Sequence, residues 1–237
     1  MIARGTGADA AAPPACVLFD LDGTLADTAP DMAVALNRLR AERGLDPVPL
    51  DRIRATVSQG SPGMLHACFG LNPTDPRYPG LNQRFLDLYH SAIAVETALF
   101  PGMADVLAYL ETQAIPWGVV TNKPGWLTEP LLQGLALWSR AACVVSGDTL
   151  NKAKPDPEPL LHACQCLAVT PQRSLYVGDA ERDILAGNRA GMRTLVAGFG
   201  YLSPEDRPWE WEAHGFLEKP VDLFAWLGAP ALPGRGV

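Results

Sequence analysis

The order of hydrophobic and polar positions changes twice along the chain and divides it into three stretches. The run CVLF at residues 16–19 is apolar without a break, which is typical of a strand buried on both faces of a sheet. From about residue 29 to residue 96, apolar residues recur at helical spacing and no convincing strand pattern appears. From Phe100 onward, short apolar runs alternate with helical segments. The pattern predicts an α/β fold that is interrupted near its start by helices.

The middle stretch predicts a small all-helical insert. The run DMAVALNRLRAERG has its apolar residues on one helical face, and Gly44 is its expected stop. The run IRATVSQGSPGMLHACFG predicts two short helices that are interrupted at Gln59–Gly63. The run LNQRFLDLYHSAIAV predicts another helix, with Phe85, Leu88 and Tyr89 on one face.

The last stretch predicts a parallel sheet. The runs WGVVT, ACVVS, SLYVGD and MRTLVAG are expected to be strands, and helical segments separate them. Strands joined in this way form right-handed crossovers, so we predict an open α/β sandwich. Residues 15–27 and 98–237 would form this core domain, residues 28–97 the inserted helical domain, and residues 1–14 a disordered lead-in.

Composition narrows the class of protein without identifying a function. Of 237 residues, 48% are hydrophobic and 19% are charged, which is enough for a substantial core. The net charge of −7 argues against general nucleic-acid binding, because the sequence lacks a basic block. We expect no membrane span and no secretory signal. Five cysteines without a CxxC pair are typical of reduced thiols, so we expect a cytoplasmic protein.

Polar residues that are unusual in a core follow three of the predicted strands. Asp20 and Asp22 follow the first strand, Thr121 follows WGVV, and Asp179 follows SLYVG. Because ligands of open parallel sheets gather at the carboxyl ends of the strands, we expect these side chains to meet. Two adjacent carboxylates at the edge of a core also require a positive charge nearby.

Two further charged residues are expected to join this group. Lys154 lies in the loop NKAKPDP, which leads into the next predicted helix. Asp183 follows Asp179 by four residues, about one helical turn, so the two carboxylates can face the same side.

Four short motifs together resemble those of one enzyme superfamily. In order along the chain, DLDGTLADT, VVTNKP, KPDPEP and GDAERD resemble the four motifs of the haloacid dehalogenase superfamily. The helical insert resembles the C1-type cap of that superfamily. The resemblance covers nearly all of the chain after residue 14 and implies a Rossmann-like core. It also implies hydrolysis of a phosphomonoester through an aspartyl-phosphate intermediate.

The resemblance implies a role for each acidic residue of the motifs. Asp20 would be the nucleophile, and Asp22 would protonate the leaving alkoxide and later deprotonate the attacking water. A Mg²⁺ ion would be held by Asp20, the backbone carbonyl of Asp22 and Asp179. Asp183 would support this metal site.

The phosphate-binding residues implied by the resemblance are Thr121, Asn122 and Lys154. Lys152 is a rival of Lys154, which we favour because it directly precedes Pro-Asp-Pro. In the cap, Arg54 and the turn formed by Gln59, Gly60 and Ser61 are candidates for reading the substrate, and a solvated surface arginine is the alternative for Arg54.

The expected function is Mg²⁺-dependent hydrolysis of a small phosphorylated metabolite by a monomer or homodimer. The chain most resembles the phosphoglycolate phosphatase group, while ALFPGM, WGVVTNKP and GFGYLSPEDRP resemble a branch that acts on N-acetylmuramic acid 6-phosphate. A sugar-phosphate mutase and a non-catalytic binding module remain as alternatives. A dehalogenase would not need Asp22, and a phosphonatase would need a cap lysine, which residues 29–96 lack.

Overall fold

The computed structural model describes residues 12–229, which form a parallel sheet with helices on both faces and a helical insert. The strands are β1 (Cys16–Phe19), β2 (Ala26–Asp27), β3 (Ala98–Leu99), β4 (Trp117–Val120), β5 (Cys143–Val145), β6 (Ser174–Gly178), β7 (Arg193–Ala197) and β8 (Gly215–Leu217). Six of them form the main sheet of this described part, in the order β5-β4-β1-β6-β7-β8, and every neighbouring pair is parallel. Strands β2 and β3 form a separate two-stranded ribbon.

The helices follow the predicted pattern in the insert and in the core. The insert contains the first four, and the next four lie between the strands of the main sheet. In order they are α1 (Ala29–Ala41), α2 (Leu50–Arg54), α3 (Gly60–Phe69), α4 (Tyr78–His90), α5 (Met103–Thr112), α6 (Gly125–Gly134), α7 (Glu158–Cys166) and α8 (Glu181–Ala190).

Strand β1 lies at the centre of the sheet and is buried on both faces. Val17 and Phe19 belong to the apolar cluster on one face, and Cys16 and Leu18 belong to the cluster on the other. This explains why its sequence is apolar without alternation. The chain runs from β1 outward through β4 and β5, then returns to β6 on the other side of β1. The carboxyl end of β1 therefore lies where the strand order reverses, a position at which such sheets bind ligands.

The insert joins the core through two connections that pair with each other. Ala26 lies opposite Leu99 and Asp27 opposite Ala98 in the antiparallel ribbon of β2 and β3. Two-residue strands have no periodicity that a sequence could reveal, so this ribbon was not predicted. The domain boundaries drawn at residues 28 and 97 remain a prediction.

One predicted helix break was misplaced. The interruption in the insert is a 3₁₀ turn at Val57–Gln59, and α3 already begins at Gly60, so Gln59–Gly63 is not a break between helices. Gly60 takes a φ of +69°, which favours glycine and separates the two segments. Pro62 lies in the first turn of α3, where its missing N–H leaves no intrahelical bond unmade.

Two features of the C-terminal part go beyond the prediction. Strand β8 extends the sheet beyond β7, although GFL is too short to be recognised as a strand. Trp211 is buried in a small cluster with Ile184 and Val196, whereas Trp209 is exposed.

Between residues 12 and 229, no helix is long and apolar enough to cross a membrane. The predicted disordered lead-in falls mostly on residues 1–11, which lie outside the described part.

Candidate active site

Three carboxylates meet at the carboxyl ends of β1 and β6. Asp20 follows β1, Asp179 follows β6, and Asp183 lies in the first turn of α8. Each offers an oxygen within 4.8 Å of the others, and all three residues are at most 3% exposed. The strand-end argument predicted that Asp20 and Asp179 would meet, and the structure places them together. Asp183, which was expected to have a supporting role, lies within the same cluster.

The Lys154 ammonium group lies beneath this cluster and neutralises two of its members. Its Nζ is 2.9 Å from Oδ1 of Asp20 and 2.7 Å from Oδ1 of Asp183. It also donates to the hydroxyl of Tyr176 at 2.7 Å and to the carbonyl of Val120 at 2.9 Å. Because its three protons already face four acceptors and its side chain is fully buried, Lys154 balances the carboxylates in this arrangement. The expectation that it binds phosphoryl oxygens stays a prediction.

Burial and neighbouring charges shift the pKa values of the three carboxylates in different directions. Burial raises the pKa of Asp179 to about 7, and the charges of Asp20 and Asp183 act in the same direction. Burial also raises the pKa of Asp20, although Lys154 opposes the shift. For Asp183, burial acts upward, but Lys154 and Arg182 outweigh it and lower its pKa. The cluster thus has more negative charge than its two cations balance.

A divalent cation would correct this imbalance, and the donor set fits magnesium. Three buried carboxylates with oxygens within 4.8 Å of one another offer the hard oxygen ligands that Mg²⁺ prefers. Burial is the main cause of the raised pKa of Asp179, and the nearby negative charges of Asp20 and Asp183 add to it. The residues present therefore fit the predicted metal site.

The turn after β1 is shaped to let the backbone pass close to this cluster. Gly23 takes a φ of +83°, and a Cβ at this position would lie 2.7 Å from the ring of Tyr201 and closer still to the carboxylate of Asp179. Only glycine meets both requirements. The same carboxylate accepts the backbone N–H of Tyr201 at 3.0 Å, which fixes its orientation.

Asp22 lies on the other side of this turn, in an ion pair that the sequence did not reveal. Its Oδ1 is 3.0 Å from Nζ of Lys123 and accepts the hydroxyl of Thr28 at 2.7 Å. The Lys123 ammonium also lies 4.6 Å from the centroid of the Tyr89 ring, so the insert covers it. Asp22 lines the same cavity as Asp20.

The two polar residues after β4 are placed differently from each other. Thr121 is buried and lines the cavity, and its Oγ1 accepts the backbone N–H of Lys123 at 3.1 Å. The side chain of Asn122 forms two hydrogen bonds, of 2.9 and 3.0 Å, with the backbone of Lys154. The side-chain amide of Asn122 therefore positions the Lys154 loop, and the expected role of Asn122 in phosphate binding stays a prediction.

A cavity of about 440 Å³ lies between the strand ends and the insert. Gln59, Gly60 and Ser61 line it, as does the neighbouring Ser58. The Ser58 hydroxyl donates to Oδ2 of Asp179 at 2.7 Å, and its carbonyl accepts Nη1 of Arg182. The insert therefore closes over the carboxylate cluster and contacts it directly.

Arg54, the other cap residue expected to read the substrate, lies elsewhere. It does not line the cavity, and its guanidinium forms a two-pronged ion pair with Asp27, at 2.8 and 2.9 Å. The hydroxyl of Tyr201 donates to the same carboxylate at 2.8 Å. This placement argues against a contact between Arg54 and the substrate, because its charge is used to join the insert to the β2 connection.

Lys123, Ser58 and Arg182 were not predicted as site residues. Lys123 lies inside a quoted motif, TNKP, but only the residues before it were assigned roles. Arg182 lies between Asp179 and Asp183 in GDAERD, where a charged residue at a helix start is usually exposed. A clue for Lys123 was its position directly after two polar residues at a strand end.

The matching family model is that of the haloacid dehalogenase-like hydrolases, over residues 17–197, and the chain belongs to this family. The match spans the strands from β1 to β7 and includes all three clustered carboxylates. The resemblance of the four motifs and the Rossmann-like fold class are thereby confirmed.

Several relatives of the chain are named as phosphatases. The chain is 44% identical over 207 residues to an N-acetylmuramic acid 6-phosphate phosphatase of Pseudomonas aeruginosa, covering 87% of this chain and 92% of the relative. It is 41% identical over 211 residues to a phosphoglycolate phosphatase of Xanthomonas campestris, covering 89% and 95%. A crystal structure of a predicted phosphoglycolate phosphatase from Haemophilus somnus has the same fold, with a TM-score of 0.78 at 23% identity, covering 88% and 96%.

Proposed function

We propose that this hydrolase cleaves the phosphomonoester of a small metabolite, with Mg²⁺ bound at the carboxylate cluster and Asp20 as the nucleophile. The observation that carries this proposal is the buried cluster of Asp20, Asp179 and Asp183 at the strand ends, of which Asp20 lines the cavity between the sheet and the insert. The named phosphatase relatives support the reaction class. When bound, the metal ion would neutralise charge on the phosphoryl oxygens and hold the phosphate against the nucleophile.

In the proposed mechanism, one oxygen of Asp20 attacks phosphorus while Lys154 holds the other. The Asp20–Lys154 contact of 2.9 Å orients the carboxylate and opposes the rise in its pKa that burial causes. The new bond joins Asp20 to phosphorus, and the bond from phosphorus to the leaving oxygen breaks. The Thr121 hydroxyl lines the cavity nearby and would donate to a phosphoryl oxygen.

Asp22 would transfer the proton in both halves of the reaction. It lies two residues from Asp20, lines the same cavity and is held by Thr28 and Lys123. In the first half it would give a proton to the leaving alkoxide. In the second half it would take a proton from the water that hydrolyses the phosphorylated Asp20.

The experiment is hydrolysis of p-nitrophenyl phosphate by the wild type and by Asp20→Asn, each with Mg²⁺ and with EDTA. We expect the substitution to lower kcat by a factor on the order of 10³ or more, because an amide cannot act as the nucleophile. Asp105→Asn is the matched control, since Asp105 is exposed on α5. Full turnover by Asp20→Asn, or in EDTA, would contradict the proposal and favour the binding-module alternative.

A second, more specific candidate concerns the size of the leaving group. The cavity volume of about 440 Å³ is in the range that encloses a drug-sized ligand and exceeds what a two-carbon acid needs. Much of its wall is apolar, with the side chains of Met32, Val57, Met64, Phe85, Leu86 and Leu127. These features favour an amino-sugar acid phosphate, such as N-acetylmuramic acid 6-phosphate, over 2-phosphoglycolate.

This candidate is tested by comparing kcat/KM for the two substrates. We expect the larger value for N-acetylmuramic acid 6-phosphate, because only its leaving group can bury apolar surface against the insert. Equal values, or a larger one for 2-phosphoglycolate, would contradict the size argument but not the reaction. Phosphate release without a bisphosphate activator would separate either hydrolysis from a sugar-phosphate mutase.

A further inference from the structure

Arg182 lies at the site, but the proposed mechanism gives it no role. It is the second residue of α8, lies between two clustered carboxylates in sequence, and lines the cavity. Its Nη1 donates to the carbonyl of Ser58, so the side chain spans from the core to the insert. Its neighbours in the cavity wall include Asp20.

The Nε–H of Arg182 has no hydrogen-bond partner among residues 12–229, although the atom is buried. A charged donor that is buried and left unpaired is costly, and such groups in folded proteins usually have an explanation. At the edge of a ligand cavity, the simplest explanation is an acceptor that arrives with the ligand. A phosphoryl group supplies such an acceptor, and arginine binds phosphate oxygens well because its donors form a rigid fork.

The charge balance of the site supports the same assignment. The three clustered carboxylates face two cations, Lys154 and Arg182. A bound divalent ion would leave the site with a single excess positive charge, which attracts a phosphate dianion. Without Arg182 the metal-bound site would be neutral before the phosphate arrived. Lys154 is bonded to Asp20, Asp183 and two other acceptors, whereas Nε of Arg182 has no hydrogen-bond partner among residues 12–229.

We propose that Arg182 is a phosphate-binding residue whose Nε–H takes an oxygen of the transferring phosphoryl group while Nη1 stays on the Ser58 carbonyl. The assignment rests on the proposed function, because it requires the phosphate to lie against Asp20. One guanidinium would then bind the phosphate and hold the 3₁₀ turn of the insert, so the two events stabilise each other.

A purely structural role for Arg182 makes a different prediction. If it only neutralised the carboxylates, its removal would increase the affinity for Mg²⁺ and leave the affinity for phosphate unchanged. If it binds phosphate, its removal weakens phosphate binding even when the metal site is saturated. The two binding constants therefore separate the roles without any measurement of turnover.

The experiment is calorimetric titration of inorganic phosphate into the Mg²⁺-saturated protein, for the wild type, Arg182→Gln and Arg182→Lys. We expect Arg182→Gln to weaken phosphate binding at least about tenfold, as for the loss of a charge-assisted hydrogen bond. Arg182→Lys should recover part of the affinity because it keeps the charge without the fork. The matched control is Arg207→Gln, an equal change of charge at an exposed side chain that lies over Trp209.

Each outcome supports or overturns the assignment. Phosphate affinity in Arg182→Gln equal to that of Arg207→Gln would overturn it, and loss of hydrolysis in Asp20→Asn would then leave the proposed function standing. If the wild type itself binds no phosphate in the presence of Mg²⁺, the assignment of Arg182 fails, while hydrolysis of p-nitrophenyl phosphate still decides the proposed function separately. Should Arg182→Gln not fold, Arg182→Lys decides, and wild-type phosphate affinity in that variant would contradict a role for the fork.

Discussion

At the scale of single residues, the site depends on how its buried charges are compensated. Asp20 and Asp183 are both ionic partners of Lys154, and none of the three side chains is more than 4% exposed. The attraction within such a group roughly offsets the cost of removing its members from water, so the intact group adds little net stability. Removing one member is costly, because it leaves the others buried without a counter-charge.

Lys154→Met should therefore destabilise the protein by about 3–5 kcal/mol in the absence of metal, measured by urea unfolding. The loss arises from Asp20 and Asp183, so the double variant Lys154→Met/Asp20→Asn should recover part of it. Lys152→Met is the control, because Lys152 is 57% exposed and its partners Asp156 and Glu158 lie at the surface. An equal, small effect of both lysine substitutions would contradict this account.

At the scale of secondary-structure elements, hydrogen bonds join the start of α1 to the last residues of the insert. The buried carboxylate of Asp31 accepts the backbone N–H groups of Val95, Glu96 and Thr97 at 2.9–3.0 Å. It also accepts the hydroxyl of Thr97 at 2.7 Å. These four bonds keep the two connections of the insert next to each other, where β2 and β3 then pair.

Asp31→Ala should lower the free energy of unfolding by about 2–4 kcal/mol, since it leaves several donors of the 95–97 segment without an acceptor. Thr97→Val removes only one of the four bonds and should cost about 0.5–1.5 kcal/mol. Both values come from urea unfolding curves with unchanged slopes. If the two substitutions lower the free energy of unfolding equally, the backbone donors are satisfied by water, and Asp31 does not hold the two connections together.

Elements with a hydrophobic pattern of their own were predicted from the sequence. Short strands that depend on pairing with a neighbouring strand were missed. Strands β4 and β6 are continuous apolar runs, so burial on both faces was readable. The ribbon of β2 and β3 and the short β8 have no such pattern, because only their partners hold them in place.

The same limit explains the outcome at the site. Asp20 and Asp179 were placed correctly because strand ends converge by topology. The direction taken by a long side chain is set by tertiary contacts, so Arg54 was expected in the cavity and Arg182 was not expected there. Asp22 was chosen without its partner Lys123 for the same reason.

At the scale of the whole molecule, the site belongs to neither part alone. The strand ends supply the carboxylates, while the insert supplies Ser58 and the apolar wall of the cavity. The Arg54–Asp27 ion pair joins α2 of the insert to the β2 connection, and the guanidinium also lies 5.5 Å from the centroid of the Tyr201 ring. Tyr201 in turn accepts the backbone N–H groups of Thr28 and Ala29. These contacts set the position of the insert over the sheet.

Arg54→Gln should therefore change substrate binding more than stability. The side chains of Arg54 and Asp27 are 31% and 27% exposed, so losing the pair should cost no more than about 1 kcal/mol of unfolding free energy. The turn at Ser58 follows Arg54 by one helical turn, and its displacement should raise KM for p-nitrophenyl phosphate severalfold. Arg77→Gln is the control, because it breaks a similar two-pronged pair with Asp75 that lies wholly within the insert. Equal KM values for the two variants would show that the Arg54 contact does not position the cavity wall. A rise in KM confined to Arg54→Gln would show that the contact between the insert and the β2 connection sets the geometry of the site.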